Sequence, residues 1–140
     1  MLAMSEILSK ASKMRSKEKK LAFLDENYSK TLHETLAYGY DERVKWAVPE
    51  EDPPYTPLSI QDGAEEAAGM LYSEQRKFYL FVHRPGHPEP NQLKREQLFI
   101  EMLERIHPED AKLVLLLKSK KLPKGITKEL IEEAWGVYNG

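Results

Sequence analysis

The densest run of apolar positions lies between Gln92 and Leu122 and breaks once, at His107-Pro108. Before the break, Leu98, Phe99, Met102, Leu103 and Ile106 recur three and four apart, the spacing of one helix face, and Asn91 can cap their helix. After it, His107 stands at a cap position and Pro108 at the favoured first helical position. Glu109 and Asp110 occupy the first turn, where anions suit the helix dipole. Leu113, Val114, Leu116 and Leu117 then face inward, with Leu115 at the boundary. So wide an apolar face predicts a central helix. Ile126, Thr127 and Ile131 form a hydrophobic staple around a threonine cap. They start a last helix, docked by Leu130, Ile131, Ala134 and Trp135 and ended at Gly136.

Towards the N-terminus the pattern is again helical. Met4, Ile7, Leu8, Ala11 and Met14 mark one amphipathic face. Ser16 can cap a second helix, Lys17 to Glu26, around Leu21 and Leu24. Lysines in a first turn oppose the dipole, so the alternative is one continuous helix from Met4. A third helix starts at Ser29 or Thr31. Thr31 with Glu34 fits a capping box, Leu32 and Leu36 are its apolar stripe, and Gly39 is a left-handed stop. Asp62 caps a long helix from Gly63 to about Val82. Its face carries Ala64, Ala67, Ala68, Leu71, Gln75, Phe78 and Val82. Residues 78–82 alone also fit a strand, but no breaker separates them from the helical stretch before.

Between these segments, residues 49–57 read P-E-E-D-P-P-Y-T-P. Proline lacks the amide donor and disfavours helix in the residue before it. This is an extended connector and the one internal boundary, with Tyr55, Leu58 and Ile60 after it as anchors and Trp46 with Pro53, Pro54 and Tyr55 as a local clasp. The whole predicts one all-α domain over residues 1–140, of five to seven helices. The Gln92, Pro108 and Thr127 helices form its core, and the Ala64–Val82 helix packs on them.

Composition narrows the chemistry. The chain has 140 residues, a formal net charge of −2 and no cysteine. That charge argues against a globally basic nucleic-acid binder. Without cysteine there is no disulfide, thiolate chemistry or Cys-based metal site. No apolar h-region follows the N-terminal basic residues and no apolar run approaches a membrane span, so a cytoplasmic location without membrane association is the expectation. There is no Gly-rich phosphate loop, and no serine or histidine stands in a nucleophile context. Pro85, Gly86 and Pro88 separate His83 from His87, so with Glu89 and His107 they carry no helical metal-ligand spacing. The expectation is no enzyme, no cofactor and no metal.

Charge is unevenly distributed. Lysines gather between Lys10 and Lys20, and again at Lys112, Lys118, Lys120, Lys121, Lys124 and Lys128. The second cluster is a candidate phosphate contact, through Lys118, Lys120, Lys121, Lys124 and Lys128. Against it, the last helix lacks Arg and Asn, the usual base readers, and carries Glu129, Glu132 and Glu133. Conversely, no Lys or Arg occurs between Trp46 and Gln75, where Glu50, Glu51, Asp52, Asp62, Glu65, Glu66 and Glu74 accumulate. That segment either lies against the basic clusters or meets a basic partner protein. Tyr72, Arg76 and Tyr79 offer an aromatic-plus-arginine surface of the kind enriched in binding hot spots, whereas Phe78 and Phe81 belong to the core. The two function classes are therefore a protein-interaction module, through Tyr72, Arg76, Tyr79, Glu50, Glu51 and Asp52, and a nucleic-acid accessory protein using the lysines.

Several strings carry a resemblance. They are Val44-Lys45-Trp46 with the later Pro53-Pro54-Tyr55, then R-K-F-Y-L-F-V from Arg76, K-R-E-Q-L-F-I-E-M-L-E-R-I-H-P-E-D-A-K-L from Lys94, and K-K-L-P-K-G-I-T-K-E-L-I-E-E-A from Lys120. In these the chain, chiefly from Tyr72 to Ala134, resembles a family of short proteins of contractile-tailed marine phages, especially those infecting cyanobacteria. It departs from that pattern at H-R-P-G-H-P-E-P, from His83, and near Lys124. The resemblance implies provenance and fold, with host cytoplasm as the setting, and transfers no functional residue.

Overall fold

The computed structural model describes residues 2–139 and is all-α among them, with seven helices and no strand. The helices are α1 (Met4–Ser12), α2 (Lys17–Glu26), α3 (Lys30–Tyr40), α4 (Met70–Glu74), α5 (Gln92–Arg105), α6 (Pro108–Lys118) and α7 (Lys128–Trp135). Two 3₁₀ segments, Glu65–Gly69 and Gln75–Phe81, flank α4.

Most helix starts follow from a side chain able to accept an otherwise orphaned backbone amide. Ser16 accepts from the Lys19 amide at 3.2 Å, so α1 and α2 are separate helices. Asn91 accepts from Lys94 at 3.0 Å, His107 Nδ1 from Glu109 at 3.1 Å, and Thr127 from Leu130 at 3.1 Å. Ser29 rather than Thr31 caps α3, accepting from Leu32. The Thr31–Glu34 capping box does not form. Glu34 instead accepts from Gln75 Nε2 and the Tyr138 hydroxyl.

α6 is the hub, packed against α1, α3 and α5. Ala111, Leu113, Val114 and Leu117 are buried, while Leu116 turns outward and is 37% exposed. The core is wider than the C-terminal half: Met4, Ile7, Leu8 and Ala11 of α1 and Leu32 and Leu36 of α3 join Leu71, Phe99, Met102 and Leu103 in one cluster. It draws on both sides of the Pro-rich connector. Gly39 does not end its helix. It lies inside α3, where a Cβ would meet Leu117 Cδ2 at 2.5 Å, so glycine permits the close approach of α3 to α6.

The long helix expected between Gly63 and Val82 is broken up. Gly63 has φ +93°, and Asp62 closes a turn with Ser59 rather than capping a helix. The stretch after α4 winds at three residues per turn. That period stacks Gln75, Phe78 and Phe81 on one face, and all three are buried; an α-helix would rotate them apart. Val82 is then extended and bridges Trp46 in antiparallel fashion, the Ala47 amide donating to Phe81 O at 2.7 Å and the His83 amide to Lys45 O at 2.8 Å.

Candidate interaction surface

The connector is an ordered strap laid along α5. Gln92 Nε2, at the start of α5, donates to Ala47 O at 3.0 Å. Glu104, at its far end, accepts from the Thr56 amide at 2.8 Å. Between them Lys118 Nζ donates to the carbonyls of Pro49, Glu50 and Glu51 at 3.1, 2.7 and 3.4 Å. Asp52 completes its surroundings at 3.5 Å, and the Lys118 side chain is 1% exposed. A desolvated ammonium requires such partners. Its three donors match the carbonyls that an extended, proline-interrupted chain leaves unpaired. Tyr55 and Leu58 are half-buried along the strap, but Ile60 is 76% exposed and anchors nothing.

This clip fixes the acidic residues. With the backbone carbonyls of Glu50 and Glu51 held inward, both side chains are exposed, and neither has an ion-pair partner among the described residues. Asp52 is 63% exposed on the rim. Beneath them, Val48, Pro49, Pro53 and Pro54 of the strap and Phe99 and Ile100 of α5 enclose a cleft of 210 Å³, edged by Glu51, Asp52 and Glu96. A shallower hollow follows around Leu58, Gly63, Ala67 and Met70, bordered by Asp62, Glu66, Glu101 and Glu104 against Arg105. Further along the acidic segment, buried Glu74 is met within the chain, pairing with Arg105 at 2.6 Å and Lys77 at 3.2 Å, while Asp62, Glu65 and Glu66 have no ion pair among the described residues.

None of Tyr72, Arg76 and Tyr79 lines this cleft. Arg76 and Tyr79, one 3₁₀ turn apart, are both exposed on one face, whereas Tyr72 lies in α4. Tyr72 is half-buried with its hydroxyl towards Leu2 O, and its phenol is pushed up by burial and then by Asp110. Arg76 reaches its own Ser73 O. Tyr79 is 47% exposed beneath the Arg84 guanidinium, in a cleft shared with Pro88, Glu89 and Arg95. Trp46 packs against Tyr38, Phe78 and Phe99, its Nε1 donating to Tyr38 O.

The lysine cluster divides. Lys118 is buried and cannot reach phosphate. Lys120, at φ 60°, donates through Nζ to the carbonyls of Tyr38, Asp41 and Val44 at 3.2, 2.7 and 3.2 Å, and burial lowers its pKa. Beside it the Asp41 carboxyl drops to about 2, chiefly through its hydrogen bond from Arg43. Lys121, Lys124 and Lys128 remain exposed, with Lys128 Nζ 5.8 Å from the centre of the Tyr40 ring. Their turn abuts the end of α1, since a Cβ on Gly125 would lie 2.9 Å from Ser12 Cβ. The two basic clusters therefore meet at that contact, although Lys17 is paired with Glu133 at 2.8 Å.

The histidine loop is clamped rather than open. Buried Arg95 donates to Leu80 O and Gln92 Oε1 and pairs with Glu89, whose other oxygen is 2.9 Å from His83 Nδ1. His83 first, then Arg95, hold the Glu89 carboxyl below its usual range. Among the described residues no three His, Cys, Asp or Glu side chains are grouped to hold a metal ion, and no helix is long and apolar enough to cross a membrane.

The burial of two titratable groups was not legible in the sequence. Asp110 is fully buried, with Oδ1 accepting the Ser5 amide at the start of α1 at 2.9 Å and Oδ2 without a partner; burial raises its pKa. His33 lies among Trp135, Tyr138 and Tyr28 with Nε2 unpartnered, and burial lowers its pKa. Lys118 and Arg95 were detectable in principle. Lys118 continues the buried stripe of Ala111 and Val114, and Arg95 that of Phe99, Met102 and Ile106. A charge on an apolar stripe demands local partners.

No curated protein and no solved structure matches the chain. One family model does, described as a family of unknown function (DUF6433), over residues 7–124. That span runs from α1 through the α6–α7 turn and contains the strap, the Lys118 clip and the acidic cleft, so the chain belongs to the DUF6433 family.

Proposed function

We propose that the chain is a non-enzymatic protein-interaction module whose contact surface is the strap and the outer face of α5. The observation that carries this reading is the Lys118 clip. It engages the carbonyls of residues 49–51 and leaves the Glu50 and Glu51 carboxylates exposed and without ionic partners among the described residues. A rigid acidic ridge loses little side-chain and loop freedom on association, which is where preorganisation raises affinity. Opposite charge on a partner would also speed encounter. Tyr79, with Arg84 over its ring, is a second contact point on a separate cleft. The resemblance to cyanophage-type proteins supports a setting in the cytoplasm of an infected host. The test is photo-crosslinking from position 56, an exposed position of the strap, in a cyanobacterial lysate. A specific adduct that disappears with Glu50→Gln/Glu51→Gln/Asp52→Asn, while folding is unchanged, is the expected result; no charge-dependent adduct would remove the reading.

A second reading, nucleic-acid association, draws on the Gly125–Ser12 contact that joins the two lysine clusters. Its surface is Lys121, Lys124 and Lys128 with Lys13 of the preceding cluster. A mobility shift at low salt that weakens steeply as salt rises, and is lost in Lys121→Glu/Lys124→Glu/Lys128→Glu, would favour it. No shift at low salt eliminates it.

A further inference from the structure

The cleft between strap and α5 has a shape and chemistry that select one kind of occupant. Its floor and walls are apolar: Phe99, Ile100, Val48 and three prolines. None of its lining side chains carries a hydrogen-bond donor, and three carry carboxylates. The Lys118 ammonium, 3.5 Å from Asp52, is 1% exposed and engaged by three carbonyls. At 210 Å³ the cavity falls below the roughly 300–1,000 Å³ of small-molecule sites, and suits a single long side chain. Leu93, 69% exposed, stands two turns before Ile100 on the same face of α5 and extends the apolar surface outward.

We propose that this cleft receives an arginine side chain from a basic segment of a partner protein, with an apolar neighbour of that arginine covering Leu93. The inference rests on the protein-interaction reading above and names the partner's chemistry. An arginine stem lies along apolar surface while its head reaches polar groups. Its five donors, in a planar fork, can reach several carboxylates at once, which a lysine ammonium matches less well. Here the fork would meet Glu51, Asp52 and Glu96. The prolines keep the wall from collapsing into the empty cleft, and the Lys118 clip holds it at fixed height above α5.

The experiment is selection of a random short-peptide library, displayed on yeast, against the full chain, followed by fluorescence anisotropy of a chosen peptide. Enriched peptides are expected to share an arginine next to Leu, Ile or Met. Glu51→Gln/Glu96→Gln should weaken binding about tenfold, as removal of close charge partners does at interfaces. Arg→Ala in the peptide should weaken it similarly, and the two losses together should be less than their sum. Glu51 is exposed, and Glu96→Gln keeps an oxygen for the 2.8 Å hydrogen bond from Gln92, so the variant should fold normally. Enriched peptides without basic residues, binding indifferent to the variant, or no enrichment at all would overturn the cleft assignment. In each case a charge-dependent adduct from position 56 would leave the broader interaction reading standing, and only the loss of both would end it.

Discussion

The α6 hub and the strap on α5 are built on opposite terms. In the hub, Leu117, Val114, Leu36 and Leu8 are essentially inaccessible, and stability comes from apolar area removed from water. The strap buries little. It is held by named polar contacts: Gln92 to Ala47, Lys118 to three carbonyls, Glu104 to Thr56. Hydrophobic packing tolerates many sequences but fixes no exposed chemistry. Directed hydrogen bonds stabilise less, yet they decide which groups face out. The region held by directed hydrogen bonds is the one that leaves Glu50 and Glu51 facing out.

That contrast can be broken at several points. Leu117→Ala should have the largest effect, destabilising the fold by about 2–5 kcal/mol in chemical denaturation, as buried leucine truncations do. Next, Lys118→Met should cost about 2 kcal/mol, the scale of hydrogen bonds to a charged group. Amide exchange should accelerate selectively over residues 48–56, with α6 still protected. Uniform exchange across strap and hub would show the two regions to be one cooperative unit.

Two pH effects follow, smaller and opposite in sign. Because burial lowers the His33 pKa, the unfolded chain takes up that proton first. Stability is lost as pH falls from the ordinary histidine range towards the lowered folded-state value, and His33→Phe should flatten this decline. Because burial raises the Asp110 pKa, the folded state holds its proton longer. Stability falls as pH rises from the ordinary carboxylate range through the raised value, and Asp110→Asn should flatten that slope. Melting curves across pH measure both. Smallest of all, Glu50→Gln/Glu51→Gln should shift stability by no more than about 0.5 kcal/mol, as exposed substitutions do, even where it abolishes association.

Local chemistry was legible in the sequence and tertiary chemistry was not. His107-Pro108, Asn91 and Thr127 announce helix starts because cap and amide are three residues apart or fewer. Gly39 was misread because its role depends on Leu117, far along the chain. The 64–82 stretch was misread because a face repeating every three residues was taken for one repeating every 3.6. The acidic and basic clusters were visible as composition. That Lys118 turns inward while Glu50 and Glu51 turn outward depends on where a proline-rich backbone crosses α6, which residue counts do not encode.

The Ser5–Asp110 hydrogen bond joins groups 105 positions apart. As the chain leaves the ribosome, the first helix emerges long before the carboxylate that caps it. α2 packs on it directly, but the part of its apolar face that meets α6 stays uncovered until the hub helix arrives. Contacts so distant along the chain slow folding, and a waiting apolar face is where nascent chains aggregate or recruit chaperones. The segment that holds α1 is thus synthesised well before the one that completes its cap.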